Sequence, residues 1–402
     1  MKPWLTLVGI GDDGLAGLAL ASRAIVETAE VIVGGARHLA MAAELPAERL
    51  EWRQPFADSI AAIAARRGRR VVVLASGDPM WFGVGAMLCG HFPREEVLVL
   101  PHPGAFSLAA ARLGWPLADC LTLSVHGRPL DALRLHLAEG RRLLILSEDG
   151  ATPAAVARLL SDAGWGPSRM TVLEHLGGAA EAQHSATAAE WGERATADLN
   201  TIALECRAAP AVRGLSRLAG LPDDAFEHDG QLTKREIRAA TLAALAPLPG
   251  DRLWDVGAGC GSIAIEWLRA DEQLSAIAVE RDKARAAMIA RNAARLGVPL
   301  LEIVHGAAPT VLSGLAPPDA IFVGGGLAES ELLPHLWEAL KPGGRLVANV
   351  ISTEGERALY DWQARHGGTL TRLAVSRAEK LGSHLGWRAL APVTQLATVK
   401  PG

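Results

Sequence analysis

Short apolar runs recur along the chain: Leu5–Val8, Val31–Val33, Val71–Ala75, Val97–Leu100, Leu121–Val125, Leu143–Leu146, Thr171–Leu173 and Thr201–Glu205. They are too short for helices and rich in Val, Ile and Leu, which predicts buried β-strands. Between several of them lie alanine-rich stretches with helical spacing, such as Ala16–Ala29 and Asp58–Arg67. Short strands alternating with helices predict α/β layers with much parallel sheet.

The rhythm breaks after Cys206. Residues 207–231 mix Pro, Gly and charged residues without a strong period, which places a linker over 208–231 between domains at 1–207 and 232–402. A second α/β series then runs through Leu253–Val256, Ala276–Val279, Ile303–Val304, Ala320–Val323 and Leu346–Val350. Two more strand-like stretches follow, around Leu370–Val375 and Leu390–Val399, and no helix-length segment comes after Ser376. The second half is therefore expected to hold a sheet of about seven strands.

Composition narrows the function. Half of the 402 residues are hydrophobic and 21% are charged, the profile of a folded protein. A net charge of -4 gives no attraction to nucleic acid or an anionic membrane. No run approaches the roughly 20 apolar residues of a membrane span, and Trp4–Ile10 reads as a strand rather than a signal segment. The four cysteines are far apart and form no CxxC pair, which argues against a zinc site or a disulfide scaffold and for a cytoplasmic location. No metal is expected. The basic residues are nearly all arginine, whose planar fork suits carboxylate-rich ligands, although codon bias gives the same composition.

The strongest chemical signal is Leu253-Trp254-Asp255-Val256-Gly257-Ala258-Gly259-Cys260-Gly261, followed by a helical run from Ser262 to Arg269. Strand, glycine turn and helix bring bare backbone and a helix N-terminus to a ligand. The spacing is GxGxG, with Ser262 where the dinucleotide fingerprint needs its third glycine, which favours S-adenosylmethionine over NAD. Glu280-Arg281 ends the next strand, where an acid can accept bonds from ribose hydroxyls. Asp319 precedes Ile321-Phe322-Val323-Gly324-Gly325-Gly326, and Leu340-Lys341-Pro342-Gly343-Gly344 is a helix stop and turn. Each could be an ordinary βα turn, but their order and spacing together point to a cofactor edge.

These residues, with Leu232-Thr233-Lys234-Arg235-Glu236, resemble the class I methyltransferases, and within them the decarboxylating precorrin branch, over about residues 228–400. The resemblance implies a seven-stranded Rossmann-like fold and an S-adenosylmethionine site at Asp255, Gly257, Ala258, Gly259, Gly261, Glu280, Arg281, Gly306, Ala307, Ala308, Gly324 and Gly325. Thr233 and Lys234 become candidates for substrate contact. One departure stands out: the branch carries an acid after the third strand, whereas this chain reads Gly306-Ala307-Ala308-Pro309. Ala307 has no side-chain acceptor for the adenine amino group, so adenine recognition falls to backbone groups or another residue.

The first half opens with Leu7-Val8-Gly9-Ile10-Gly11-Asp12-Asp13-Gly14, a glycine turn that alone would also suit a nucleotide fold. Two later segments redirect the reading: Gly77-Asp78-Pro79-Met80-Trp81-Phe82, and Pro101-His102-Pro103-Gly104-Ala105-Phe106-Ser107 entering a helix. Together they resemble the tetrapyrrole methylases, the class III methyltransferases, over about residues 1–207. That family's two-lobed α/β fold holds S-adenosylmethionine in a trough, which implies contacts at Gly9, Gly11, Gly77, Asp78, Pro79, Pro103, Gly104, Ala105, Phe106 and Ser107. Asp78 could instead simply cap a turn. Asp12 stands where the family has a proline. Ser124-Val125-His126-Gly127-Arg128-Pro129 is shared with the C5-methylating branch and makes His126 and Arg128 candidate partners for tetrapyrrole carboxylates, against a plain strand-end reading.

A class III half followed by a class I half implies two cofactor sites, one in each half. Within this resemblance the first half methylates a precorrin at C5. The second methylates C15 and removes the ring C acetate carboxyl, in cobalamin biosynthesis. Both families self-associate, so a homo-oligomer is expected. Two rivals remain open: methylation of RNA or of another tetrapyrrole, and a non-catalytic module that binds S-adenosylmethionine or a corrinoid. The scarcity of aromatics and the acidic balance speak against RNA.

Overall fold

Strand pairing divides the chain into three large sheets in the computed structural model, which describes residues 3–325, 327 and 331–402. The molecule forms two units, one of Met1–Arg128 with Ala138–Arg213, the other of Pro129–Leu137 with Gly214–Gly402.

The first unit has two lobes. In the first lobe β1 (Leu5–Ile10), β2 (Val31–Gly34), β3 (Glu48–Glu51), β4 (Val71–Ser76) and β5 (Val97–Leu100) form a wholly parallel sheet in the order β3-β2-β4-β1-β5. The central strands read as near-continuous apolar runs because helices cover both faces, and β1 is buried at every position. The edge strand β3, with only Leu50 buried, lacks that signature and is absent from the sequence-predicted set. The second lobe pairs β6 (Cys120–Ser124), β7 (Arg142–Leu146), β8 (Arg169–Glu174), β9 (Ala182–Thr187) and β10 (Asn200–Glu205) in the order β6-β7-β10-β8-β9. Only β6 and β7 are parallel; the polar edge strand β9 is likewise outside the predicted set. The helix expected over Ala16–Ala29 is shorter. A 3-10 turn at Gly14–Gly17 is followed by an extended Leu18, and the α-helix spans Leu20–Glu27. That expected over Asp58–Arg67 spans Phe56–Ala64.

In the second unit β11 (Arg252–Val256), β12 (Ser275–Glu280), β13 (Glu302–His305), β14 (Ala320–Val323), β15 (Arg345–Val350), β16 (Thr369–Leu373) and β19 (Val393–Val399) form a seven-stranded sheet. Its order is β13-β12-β11-β14-β15-β19-β16, and β19 runs antiparallel between its neighbours. Between β16 and β19 the chain leaves this sheet to make a separate hairpin of β17 (Ser376–Leu381) and β18 (His384–Ala389), in a stretch for which the sequence pattern predicts no element. Alternate residues of the central strands feed two cores. Leu253, Ala276 and Phe322 join one face, while Trp254, Ile277 and Ile321 join the other.

The unpatterned stretch 208–231 is not loose throughout. Leu221 and Phe226 are buried in the core of the second unit, and the buried Glu266 accepts bonds from Gly220 N (2.6 Å) and Leu221 N (3.0 Å).

Candidate active sites

The order of strands in the second unit reverses between β11 and β14, and open α/β sheets bind ligands at such a point. A cavity of about 810 Å³ lies there, within the usual range for small-molecule sites. Gly257, Ala258, Gly259, Glu280, Arg281, Gly306, Ala307, Ala308, Gly324 and Gly325 line it, as do Thr233 and Lys234. The turn after β11 runs through left-handed backbone at Gly257 (φ 73°), Gly259 (φ 61°) and Gly261 (φ 79°), which explains its glycines. A Cβ at Gly259 would meet nothing within 4 Å, so this glycine opens the wall toward a ligand. The next glycine loop, at Gly324 and Gly325, comes close to Gly257: a Cβ there would stand 3.3 Å from Gly325 N. Gly326 lies outside the described residues.

Two predicted residues stand behind this wall. Gly261 backs onto Ile289 and precedes the helix Ser262–Ala270. It has no side chain to cap that helix, and the buried Asp255 does so instead, with Oδ2 accepting from Ala264 N at 3.0 Å. Burial pushes the Asp255 carboxyl up to about 7, and the charge of Glu280 adds to the rise. Glu280 shapes the loop, accepting from Gly259 N (2.8 Å) and Asp282 N (2.9 Å), and its remaining lone pairs are available to a ligand. At Ala307 the cavity wall offers only backbone and a methyl group.

Sequence reasoning missed the opposite wall. Asn349, at the end of β15, lines the cavity with its amide fixed: Nδ2 donates to Thr241 Oγ1 (2.8 Å) and Oδ1 accepts from Gln395 Nε2 (2.9 Å). Thr241 and Gln395 are buried. Leu332, Val350, Val375, Leu390 and Val393 add apolar surface to the lining. Lys234 caps the helix Arg235–Leu245 by position, and no acidic partner pairs with its ammonium among the described residues. The neighbouring Arg238, fully buried, is tied to Glu266 (2.9 Å) and Asp223 (2.8 Å).

In the first unit the ends of β1, β4 and β5 converge. A Cβ at Gly9 would stand 1.9 Å from Gly77 O, and one at Gly77 would stand 2.5 Å from Gly104 Cα, so these glycines let three backbones touch. Asp78 caps its own turn, with Oδ1 accepting from Met80 N at 2.8 Å, while Pro79 follows it in that turn. The helix Ala105–Leu113 starts at Gly104; Phe106 is buried against Phe82, so it can offer a ligand only its backbone, and Ser107 is exposed. Gly11, Gly77, Pro103 and Ala105 line a small cavity of about 60 Å³ that also touches the second lobe at Leu173, Leu176 and Asn200. It can take only part of a nucleoside-sized ligand. His126 and Arg128 are exposed outside it, and the Arg128 guanidinium lies 5.1 Å from the Phe82 ring centre. Asp12 and Arg37, which no sequence signal marked as ligand contacts, face that cavity.

Among the described residues no cluster of three or more His, Cys, Asp or Glu could hold a metal ion, and no helix is long and apolar enough to cross a membrane.

Comparison with known proteins separates the halves in the same way. Residues 4–191 match the family described as Tetrapyrrole (Corrin/Porphyrin) Methylases, and residues 224–400 match the Precorrin methyltransferase domain. Over 401 residues the chain is 50% identical to a Precorrin-6Y C(5,15)-methyltransferase [decarboxylating] from Sinorhizobium sp, covering 100% of this chain and 97% of that one. A Cobalt-precorrin-7 C(5)-methyltransferase of Salmonella typhimurium is 33% identical over 172 residues, 43% of this chain and 85% of its own. A Probable cobalt-precorrin-6B C(15)-methyltransferase (decarboxylating) of Saccharolobus solfataricus is 34% identical over 143 residues, 34% of this chain and 72% of its own.

Proposed function

The chain belongs to the family of decarboxylating precorrin-6Y C(5,15)-methyltransferases, and we propose that each half holds its own S-adenosylmethionine site. It is a methyltransferase of cobalamin biosynthesis that acts on a precorrin and decarboxylates it. In this reading the first half methylates C5, and the second methylates C15 and releases the ring C acetate carboxyl as carbon dioxide. The observation that carries it is the cavity at the switch point of the second unit, where a glycine turn and the Glu280 carboxylate bonded to it border space for a nucleoside.

The donor supplies a sulfonium methyl, already a strong electrophile, so the protein's work is positioning within about 3–3.5 Å and exclusion of water. Glu280 accepts from ribose hydroxyls; Gly257, Gly259 and Gly324–Gly325 let the ligand lie against backbone; the backbone around Ala307 meets the adenine. Thr233 and Lys234 hold substrate carboxylates at the mouth. The apolar wall of Leu332, Val350 and Leu390 disfavours the ionised acetate relative to neutral carbon dioxide. In the first unit the loops at Gly9–Gly11, Gly77–Pro79 and Pro103–Ser107 hold the other cofactor, and His126 and Arg128 beside them contact tetrapyrrole carboxylates, while Arg281 contacts the cofactor of the second unit. Self-association and a cytoplasmic location belong to the same reading; the four free cysteines suit a reducing compartment.

Calorimetric titration of the full chain tests it. Two S-adenosylmethionine molecules should bind per chain, and Glu280→Ala should leave one, abolish C15 methylation and spare C5 methylation. A single site in the wild type, or loss of both methylations in the variant, would refute the two-site arrangement.

A further inference from the structure

Asp12 stands where the tetrapyrrole methylases carry a proline, and it organises a polar cluster in the first unit. Its Oδ1 accepts from Arg37 Nη1 at 2.8 Å, and its Oδ2 lies 3.0 Å from Nδ1 of His175, which is 163 residues away in sequence. The fit is close. A Cβ at Gly178 would stand 2.4 Å from Asp12 Oδ2, so a side chain there would push the carboxylate from its present place. His175 itself has left-handed backbone (φ 49°), a costly conformation that functional sites often retain. It lies between Leu173 and Leu176, which line the same small cavity as Asp12 and Arg37.

A carboxylate only accepts hydrogen bonds, so a neutral His175 must carry its proton on Nδ1, and Nε2 is left with a free lone pair. No partner occupies Nε2 among the described residues, and a third of the side chain (33%) is exposed. In its neutral form the imidazole is thus held in one tautomer with Nε2 open.

We propose that His175 is the proton acceptor of the methyl transfer assigned to the first half, with Asp12 as the positioning residue that fixes its tautomer. The inference rests on the C5 assignment above. When a bridging CH carbon of the macrocycle is methylated, a π-electron pair forms the new C–CH3 bond, and the pair of the broken S–CH3 bond returns to sulfur. The macrocycle is left with one added positive charge and sheds it as a proton. His175 Nε2 takes that proton, Asp12 balances the resulting imidazolium, and water carries the proton away after product leaves.

His175→Asn is the discriminating variant, because its amide nitrogen takes the place of Nδ1 and can still donate to Asp12, while the side chain has no basic nitrogen. The full chain, precorrin-6Y and S-adenosylmethionine supply an internal reference, since C15 methylation and decarboxylation are assigned to the other half. The rate of C5 methylation should fall about 100-fold or more, while the KM for tetrapyrrole and the binding of two cofactors stay unchanged. A product lacking one methyl then accumulates, and imidazole added to His175→Ala restores the missing methyl. Wild-type C5 methylation by His175→Asn overturns the proposal. So does a loss that merely follows weakened cofactor binding, which would make the cluster a structural clasp, or a failure of imidazole to restore His175→Ala. If the wild-type chain itself adds no methyl at C5, it is the functional reading that falls.

Discussion

Replacing Asp255 with asparagine isolates a destabilising charge behind the wall of the second unit's cavity. The carboxyl is fully buried, its Oδ2 caps Ala264, its Oδ1 has no partner, and burial raises it from 3.8 to about 7. The sign follows from linkage. Below about 4 the group is protonated in both folded and unfolded chains and costs nothing. As pH rises to about 7 the unfolded chain ionises and the folded one resists, so stability falls over that window and then levels. At about 1.4 kcal/mol per pH unit over about three units, the loss is about 4 kcal/mol. The Asp255→Asn amide keeps an acceptor for Ala264 and never ionises, while its other terminal atom is no worse satisfied than Oδ1 is now. Urea unfolding of the full chain, followed by tryptophan fluorescence at pH 5 and pH 8, reads the effect. Asp255→Asn should gain stability relative to wild type as pH rises, and by several kcal/mol at pH 8. Salt should change the gain little because the site is buried. A variant less stable than wild type at pH 8, or a difference that ignores pH, would refute the account of this residue.

Other perturbations follow from the geometry. Arg238→Met leaves Glu266 as a buried charge without its main cation, and should cost about 3–5 kcal/mol in unfolding experiments, most of it recovered on adding Glu266→Gln. Gly77→Ala forces a Cβ to 2.5 Å from Gly104 Cα and should destabilise the first unit by about 1–3 kcal/mol, with C5 methylation lost before C15 methylation on heating. Asn349→Ala removes one hydrogen bond from each of the buried Thr241 and Gln395, which keep their bond to each other, so the melting temperature should drop by an amount matching about 1 kcal/mol, and C15 methylation should slow without weaker cofactor binding.

Much of the fold was legible because the central strands are buried on both faces and read as unbroken apolar runs. The elements that escaped lie where burial is one-sided or absent. Glu48–Glu51 and Ala182–Thr187 are polar edge strands, and the hairpin Ser376–Ala389 is mostly exposed, with Leu385 and Trp387 at 74% and 78%. Its Gly382-Ser383 turn, with Gly382 at φ 63°, was the one local signal that could have revealed it. The glycine turn of the second half was readable because three positive-φ positions demand glycine in a fixed spacing. Its opposite wall was not. Asn349 acquires meaning only when the fold brings it to Thr241 and Gln395, 108 and 46 residues away. Asp12 was visible as a departure from a pattern, but its partner His175 is brought to it only by the pairing of two lobes.

The most direct test of the central claim is a mass balance. The full chain is incubated with precorrin-6Y and methyl-labelled S-adenosylmethionine, and the tetrapyrrole is analysed by mass spectrometry. The account predicts a product with two labelled methyl groups and one carbon dioxide fewer. A product with a single methyl, or two methyls with the carboxyl retained, would contradict it.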